Sequence, residues 1–280
     1  MLNKKEQQEF SFLLKRAFSE DRVRDDITSK FLPRARKVKA RIVARGDCRL
    51  AGMALLPAVF TARSKNIKVR ALKKDASPVT GGEIVCAIEG DAGMIFSAER
   101  AALNFLSFLS GIATKTASFR KIIDDNWITA GKPALLDTRK TLPGFRYLSK
   151  YAVRCGGGVN HRFDLAEVAM VKDNHIAYAG LDSLIEAFRS KKVIFEADDL
   201  KSAERILSIK PYVLLCDNFT PREASRAVEL RDSMSPRTLI EISGGIDEKT
   251  VLKYKHIPVD RISSGALTHS VRAADFSLEV

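Results

Sequence analysis

Between residues 133 and 265 one pattern recurs six times: a short apolar run ends in a charged, polar or glycine residue, and a helix-length amphipathic stretch usually follows. PALL leads into Asp137-Thr138-Arg139-Lys140, VAMV into Lys172-Asp173-Asn174-His175, and VIF into Glu196. YVLLC leads into Asp217-Asn218, TLIEI into Ser243-Gly244-Gly245, and RISS into Gly265. Strands that alternate with helices build a parallel sheet. The carboxyl ends of such strands converge on one face, which is where these folds bind ligands. The pattern therefore predicts an α/β fold with several cations, two acids and two glycine turns around one mouth.

The first hundred residues read differently. Phe10, Leu13, Leu14, Ala17 and Phe18 fall at helical spacing and predict a helix over residues 4–19. Asp25 to Ser29 reads as a helix N-cap or a turn. Residues 38–50 and 67–88 alternate apolar and charged side chains as strands do, with turn signals at Ser77-Pro78 and Gly81-Gly82. Residues 53–63 between them read as helical. Ser97 looks like the N-cap of a long helix, and Gly111 like a break inside it. These signals place a domain boundary near residue 112. The expectation is an N-terminal α/β domain over 1–112, a second domain over 113–267, and a tail over 268–280 packed back on the first.

Composition excludes several classes. The chain has 280 residues, 45% of them hydrophobic, which suits a sizeable core. No apolar run approaches the ~18 residues of a membrane span. The beginning, MLNKKEQQEF, has no apolar signal region, which predicts the cytoplasm. Cys48, Cys86, Cys155 and Cys216 are scattered and read as reduced core residues, with no zinc spacing. The net charge of +13 has clusters at 34–41 and 68–74. Aromatic residues are not interleaved with the basic runs and no nucleic-acid module appears, so specific nucleic-acid recognition is not expected.

The strand ends carry the chemistry. Arg139 offers a planar fork to a carboxylate or phosphate, and Lys140 beside it a compact charge. Residues 155–162 read CGGGVNHR, placing His161 and Arg162 beside three glycines. Lys172 at a strand end is an anion anchor or a Schiff-base nucleophile, as in a barrel aldolase. Glu196 and Asp217 end successive strands about 4.8 Å apart, a spacing that lets two carboxylates share a cation such as Mg²⁺. Glycine turns at Ser243-Gly244-Gly245 and Ser264-Gly265-Ala266 present backbone N–H groups to an anion. Phosphate sites after the last two strands recur in (β/α)₈ barrels.

DTRKT with PG, YAVRCGGGVNHR, KDNHI, SGGI and SGALTHS together resemble the quinolinate phosphoribosyltransferase family. AERAALNFLSFLSGIAT and DDITS extend the resemblance over nearly the whole chain. It implies an N-terminal α/β sandwich and an open, seven-stranded, TIM-like α/β barrel. It also implies transfer of phosphoribosyl from phosphoribosyl pyrophosphate to quinolinate with decarboxylation, giving nicotinate mononucleotide. Carried over by motif, Thr138, Arg139, Lys140, His161, Arg162 and Lys172 hold the quinolinate. Arg100 reaches into a neighbouring subunit's site, so the assembly is a homodimer or a hexamer of dimers. Glu196 and Asp217 hold the sugar hydroxyls and Mg²⁺, largely through substrate and water. Ser243, Gly244, Gly245, Ser264, Gly265 and Ala266 hold the 5′-phosphate. Lys140 and Lys172 act by charge, with Glu196 and Asp217 completing the catalytic set. Three residues depart from the family pattern: Ile194 stands where a second acid is common, Leu142 where a polar residue is, and Ser264 where Val is. The rival within the fold is a ModD-like relative linked to molybdate transport.

Overall fold

The computed structural model describes residues 2–32 and 37–280. Part of the basic cluster at 34–41 lies outside the described residues. The chain forms two compact units. Unit 1 comprises residues up to Ser118, Thr141–Gly157 and Leu267–Val280, and unit 2 comprises Phe119–Lys140 and Gly158–Ala266. The segment 141–157, a barrel segment by sequence pattern, thus groups with unit 1. Its helix Arg146–Cys155 is tied there, because Glu9 accepts hydrogen bonds from the N–H groups of Tyr147 and Leu148 at 3.1 and 2.8 Å.

Unit 1 contains β1 (Lys37–Ala44), β2 (Cys48–Arg49), β3 (Lys68–Ala71), β4 (Pro78–Val79), β5 (Ile84–Asp91) and the closing strand β12 (Phe276–Glu279). Four of these make an antiparallel sheet in the order β12-β1-β5-β3, and β2 pairs with β4. One face is apolar: Ala40 and Ile42 on β1 and Ile88 on β5 are buried. Lys39, Arg41, Lys68 and Arg70 alternate with the buried positions and stay exposed. This is the half-buried pattern of an antiparallel sheet. The first helix, Lys4–Glu20, is closed by a reciprocal cap between Asn3 and Glu6. Asp26 caps Ile27–Lys30 by accepting from the N–H groups of Thr28 and Ser29.

Ser97 is not a cap, and Gly111 is not a break. Ala92–Asn126 is one helix. It starts where Asp91 Oδ1 accepts the Met94 N–H at 3.0 Å. Ser97 lies inside it and accepts from Arg63 Nε at 3.0 Å. A Cβ on Gly111 would come within 2.4 Å of the Arg272 carbonyl oxygen. The glycine makes room for the C-terminal tail, whose Ala274 N–H donates to the Ser107 carbonyl at 3.0 Å.

Unit 2 is built on β6 (Ala134–Leu136), β7 (Ala169–Val171), β8 (Val193–Ala197), β9 (Val213–Asp217), β10 (Leu239–Ser243) and β11 (Arg261–Ser263). All neighbours are parallel, in the order β6-β11-β10-β9-β8-β7. The first and last strands in sequence are therefore paired, as a barrel requires. Between β6 and β7 the only contact of strand type among the described residues is the parallel bridge Leu136–Val159. Six strands and one bridge stand where seven strands were implied. Gly156 caps the helix Arg146–Cys155 and Gly157 turns at φ +87°, so only a short extended stretch around Val159 is left to pair with Leu136. β8 is buried along its whole length. Buried parallel strands of this kind explain why the sequence shows continuous apolar runs. Ile194, in place of the commoner acid, packs with Val213 and Leu215 in the barrel's apolar core.

Candidate active site

The strand register assembles the site in unit 2. Ser243 pairs in register with Asp217, Glu196 with Leu215, and Leu215 with Glu241. Residues two apart on a strand share a face. Glu241 and Ser243, Leu215 and Asp217, and Glu196 and Asp198 therefore line the same side in two successive layers.

The acids cluster first. Glu196, Asp198 and Asp217 can each bring a carboxylate oxygen within 4.8 Å of the others. Burial is the largest influence on Asp217 and raises its pKa. Asp198 and Asp173 push it the same way, while Lys172 and Lys140 oppose them. Asp198 is raised by burial and then by Glu196 and its acidic neighbours. Three carboxylate oxygens crowded together in this way fit a hard divalent cation. Sequence reading missed Asp198, because β8 ends at Ala197 and the residues beyond look like a polar loop. The useful signal was the spacing of two from Glu196.

Lys172 and Lys140 act on this cluster, and two arginines lie near one another on the adjoining loops. Lys172 Nζ lies 2.5 Å from Glu196 Oε2, with Glu196 buried and the lysine half-exposed. The adjoining helix Asp173–Ala179 holds Lys172 in place: the Lys172 N–H donates to His175 Nδ1 at 3.0 Å. Arg162 is buried and donates to the Val168 carbonyl at 2.8 Å. Its pKa is lowered by burial and next by Arg139, which shows that two guanidinium groups share one neighbourhood. Arg139 Nε is buried and has no hydrogen-bond partner among the described residues. An anion between the two arginines would satisfy both.

Buried acids hold the loops that carry these groups. Asp137 accepts from the His161 N–H at 2.9 Å and from Asn160 Nδ2 at 2.6 Å. This joins the end of β6, with Arg139 and Lys140, to the loop of His161 and Arg162. His161 Nδ1 accepts the Arg162 N–H at 2.7 Å, and His161 Nε2 lies 3.3 Å from Glu241 Oε1. Lys140 is exposed, and Thr138 Oγ1 accepts its N–H at 3.0 Å.

The two glycine turns lie side by side. Gly244 has φ +86°, and a Cβ there would come within 2.2 Å of Asn218 Oδ1. The Asn218 N–H donates to the Ser243 carbonyl at 3.0 Å, locking the end of β9 to that of β10. Ser264 Oγ donates to the Ile246 carbonyl at 2.6 Å, and its N–H to the Leu136 carbonyl at 3.0 Å. Gly245 is exposed, and Gly265 and Ala266 are half-buried beside these links. Arg100 is the one predicted site residue in unit 1; it stands exposed on the helix Ala92–Asn126.

Residues 26–110 match the family model for the N-terminal domain of quinolinate phosphoribosyl transferase, and residues 112–279 match the model for its C-terminal domain. The chain belongs to the quinolinate phosphoribosyltransferase family. It is 39% identical over 248 residues to a probable nicotinate-nucleotide pyrophosphorylase (carboxylating) of Archaeoglobus fulgidus, covering 87% of this chain and 94% of that one. It is 35% identical over 283 residues to the nicotinate-nucleotide pyrophosphorylase (carboxylating) of Mycobacterium leprae, covering 95% of each. The structure of the nicotinate-nucleotide pyrophosphorylase from Francisella tularensis superposes with a TM-score of 0.88 at 33% identity, covering 97% of this chain and 96% of that one. The barrel with its separate N-terminal sheet unit is thus the family's architecture. Nothing in these likenesses favours the molybdate-linked relative.

Proposed function

We propose that this chain is the enzyme that transfers phosphoribosyl from phosphoribosyl pyrophosphate to quinolinate, releasing pyrophosphate and CO₂ and giving nicotinate mononucleotide for NAD biosynthesis. The observation that carries the reading is the division of one sheet end into two chemistries. In this reading Arg139, Lys140, Arg162 and Lys172 make up a cationic wall, with His161 in it. Glu196, Asp198 and Asp217 form an oxygen cluster, with the paired glycine turns beyond. A doubly acidic pyridine suits the first, and a sugar bearing a phosphate and a pyrophosphate suits the second.

In this reading Arg139 and Arg162 clamp the two carboxylates and fix the pyridine nitrogen toward the sugar. Lys172 leaves Glu196 for a substrate carboxylate, which frees Glu196 for the sugar hydroxyls. Ser243, Gly244, Gly245, Ser264, Gly265 and Ala266 hold the 5′-phosphate through backbone N–H groups and hydroxyls. Nitrogen attack at the anomeric carbon builds positive charge on sugar and ring, which the carboxylates Glu196 and Asp217 stabilise. The cationic ring then stabilises the electron pair left at C2 when the 2-carboxylate departs as CO₂, and C2 takes up a proton from water to give nicotinate mononucleotide. No covalent bond to Lys140 or Lys172 is needed; their charge does the positioning. Glu196, Asp198 and Asp217 would hold Mg²⁺, which supplies charge neutralisation for the departing pyrophosphate. Arg100, exposed on its helix, would complete the site of a partner subunit in a homodimer. The compartment assigned by this reading is the cytoplasm; among the described residues no helix is long and apolar enough to cross a membrane.

Calorimetric titration tests the wall without relying on turnover. Quinolinate binds to the protein alone, and nicotinate, lacking one carboxylate, binds at least about tenfold more weakly, since one charge-assisted contact is lost. Equal affinity for the two acids would refute the two-carboxylate clamp.

A further inference from the structure

Glu241 is a carboxylate in a place where apolar packing would serve the fold as well. It lies mid-strand on β10, fully buried, in register with Leu215 on one side and Arg261 on the other. Neither of its oxygens has a hydrogen bond of good geometry among the described residues. Taking a charge out of water is costly, and a buried ion pair is often no better than apolar side chains of the same size. Arg261 balances the charge without a hydrogen bond to it. Its nearest approach to Glu241 is 4.0 Å, and it is engaged elsewhere, donating to the Tyr212 hydroxyl at 2.7 Å.

The nearer neighbour is His161, whose Nε2 is 3.3 Å from Glu241 Oε1. The other ring nitrogen settles the tautomer. His161 Nδ1 accepts the Arg162 N–H, so it carries no proton, and the ring proton sits on Nε2 facing Glu241. Nδ1 is thus engaged, and Nε2 lies beside the carboxylate, close to it but without a hydrogen bond of good geometry. The loop that carries His161 and Arg162 also lacks full packing. Val159, Asn160, His161 and Arg162 line a cavity of about 230 Å³. Polar struts have to do there what side-chain packing does elsewhere.

We propose that Glu241 is a positioning residue for substrate recognition: its carboxylate holds the Nε2–H edge of the His161 ring in place, and the ring in turn fixes the Arg162 backbone and so the guanidinium beside Arg139. This rests on the phosphoribosyl-transfer reading and gives His161 a role in the wall other than direct contact with a carboxylate. Both residues act through Arg162, so their loss changes recognition of the pyridine and not of the sugar phosphate.

Nitrogen-15 spectra of the imidazole rings test the geometry on the unliganded protein. The chain has four histidines, so His161 is assigned by the signals missing in His161→Asn. The expected spectrum shows Nε2 protonated and Nδ1 bare. Glu241→Leu frees the ring, seen as a shifted and broadened Nε2 signal, and raises KM for quinolinate about tenfold or more, with KM for phosphoribosyl pyrophosphate within about twofold. Glu241→Gln keeps an acceptor oxygen and stays within about threefold of the parent enzyme. A proton on Nδ1 overturns the proposal, as does a folded Glu241→Leu with unchanged quinolinate KM. Equal rises in both KM values also overturn it, since they mark a structural role. If the Leu variant does not fold, the parent spectrum and the Gln variant still decide. Protein that shows the tautomer but turns nothing over sinks the reaction itself, and this role with it.

Discussion

Asp198 and Asp217 stand at a cost when the protein is alone. Both pKa values are raised, by burial first and then by acidic neighbours, with Asp198 itself among those raising Asp217. The folded state holds these protons more tightly than the unfolded chain does. The stability they give is therefore present below the ordinary carboxylate range and is lost as pH rises through that range to the folded values. At neutral pH a bound cation reverses the cost, and so does removal of one charge. Asp198→Asn is accordingly expected to raise the melting temperature without metal and to shrink the further rise that Mg²⁺ brings. Calorimetric scans at neutral pH, with and without Mg²⁺, check both signs. An unchanged response to Mg²⁺ would remove Asp198 from the cluster. Arg139 makes a simpler case. Its buried Nε has no partner to lose among the described residues, so Arg139→Ala leaves the melting temperature within a degree or two. The loss of kcat/KM for quinolinate is at least about a hundredfold, from two charge-assisted hydrogen bonds. A rate within a few-fold of the parent enzyme would refute the role given to Arg139.

Elements were legible where local sequence decides them. The six barrel strands stand out because both faces are buried, and their C-terminal ends show as abrupt polar residues. The helix Ala92–Asn126 was legible in kind but not in extent, because two of its residues answer to distant partners. Gly111 reads as a helix breaker by propensity, yet it is there for the backbone of the tail. The two effects predict opposite signs for Gly111→Ala. Helix propensity alone stabilises by about 1 kcal/mol. A methyl 2.4 Å from the Arg272 carbonyl oxygen must displace the tail or bend the helix, and we expect net destabilisation. Chemical denaturation measures the sign. At Gly244 the positive φ and the clash with Asn218 act together, so Gly244→Ala loses both stability and affinity for phosphoribosyl pyrophosphate. Within the site, the residues at strand ends were visible from sequence. Asp198 was not, because it lies past the last apolar residue of β8. Glu241 was hidden for a different reason. An acid alternating with Ile240 and Ile242 looks like the exposed face of a strand, and only the closure of the barrel turns that face inward.

On the scale of the whole molecule, the net charge of +13 exceeds what the site uses. Lys39, Arg41, Lys68 and Arg70 display part of it on the open face of the unit 1 sheet, with Glu279 and Glu89 among them. Contacts of this kind with polyanions fade steeply with salt. Retardation of duplex DNA at low salt is expected to vanish at physiological ionic strength; a persistent shift would argue for a nucleic-acid role. The assembly carries its own prediction. If Arg100 completes a partner's site, inactive Arg100→Ala and Lys172→Ala proteins partly regain activity when mixed, because one hybrid site keeps both residues. No recovery after verified subunit exchange would count against a shared site. The central claim is that one barrel mouth joins a dicarboxylic pyridine to an activated sugar. Incubation with carboxyl-labelled quinolinate, phosphoribosyl pyrophosphate and Mg²⁺ measures it most directly. The account predicts nicotinate mononucleotide, CO₂ and pyrophosphate in equal amounts, with nicotinate a poor substitute. Absence of the nucleotide, or nucleotide formed equally well from nicotinate, would contradict it.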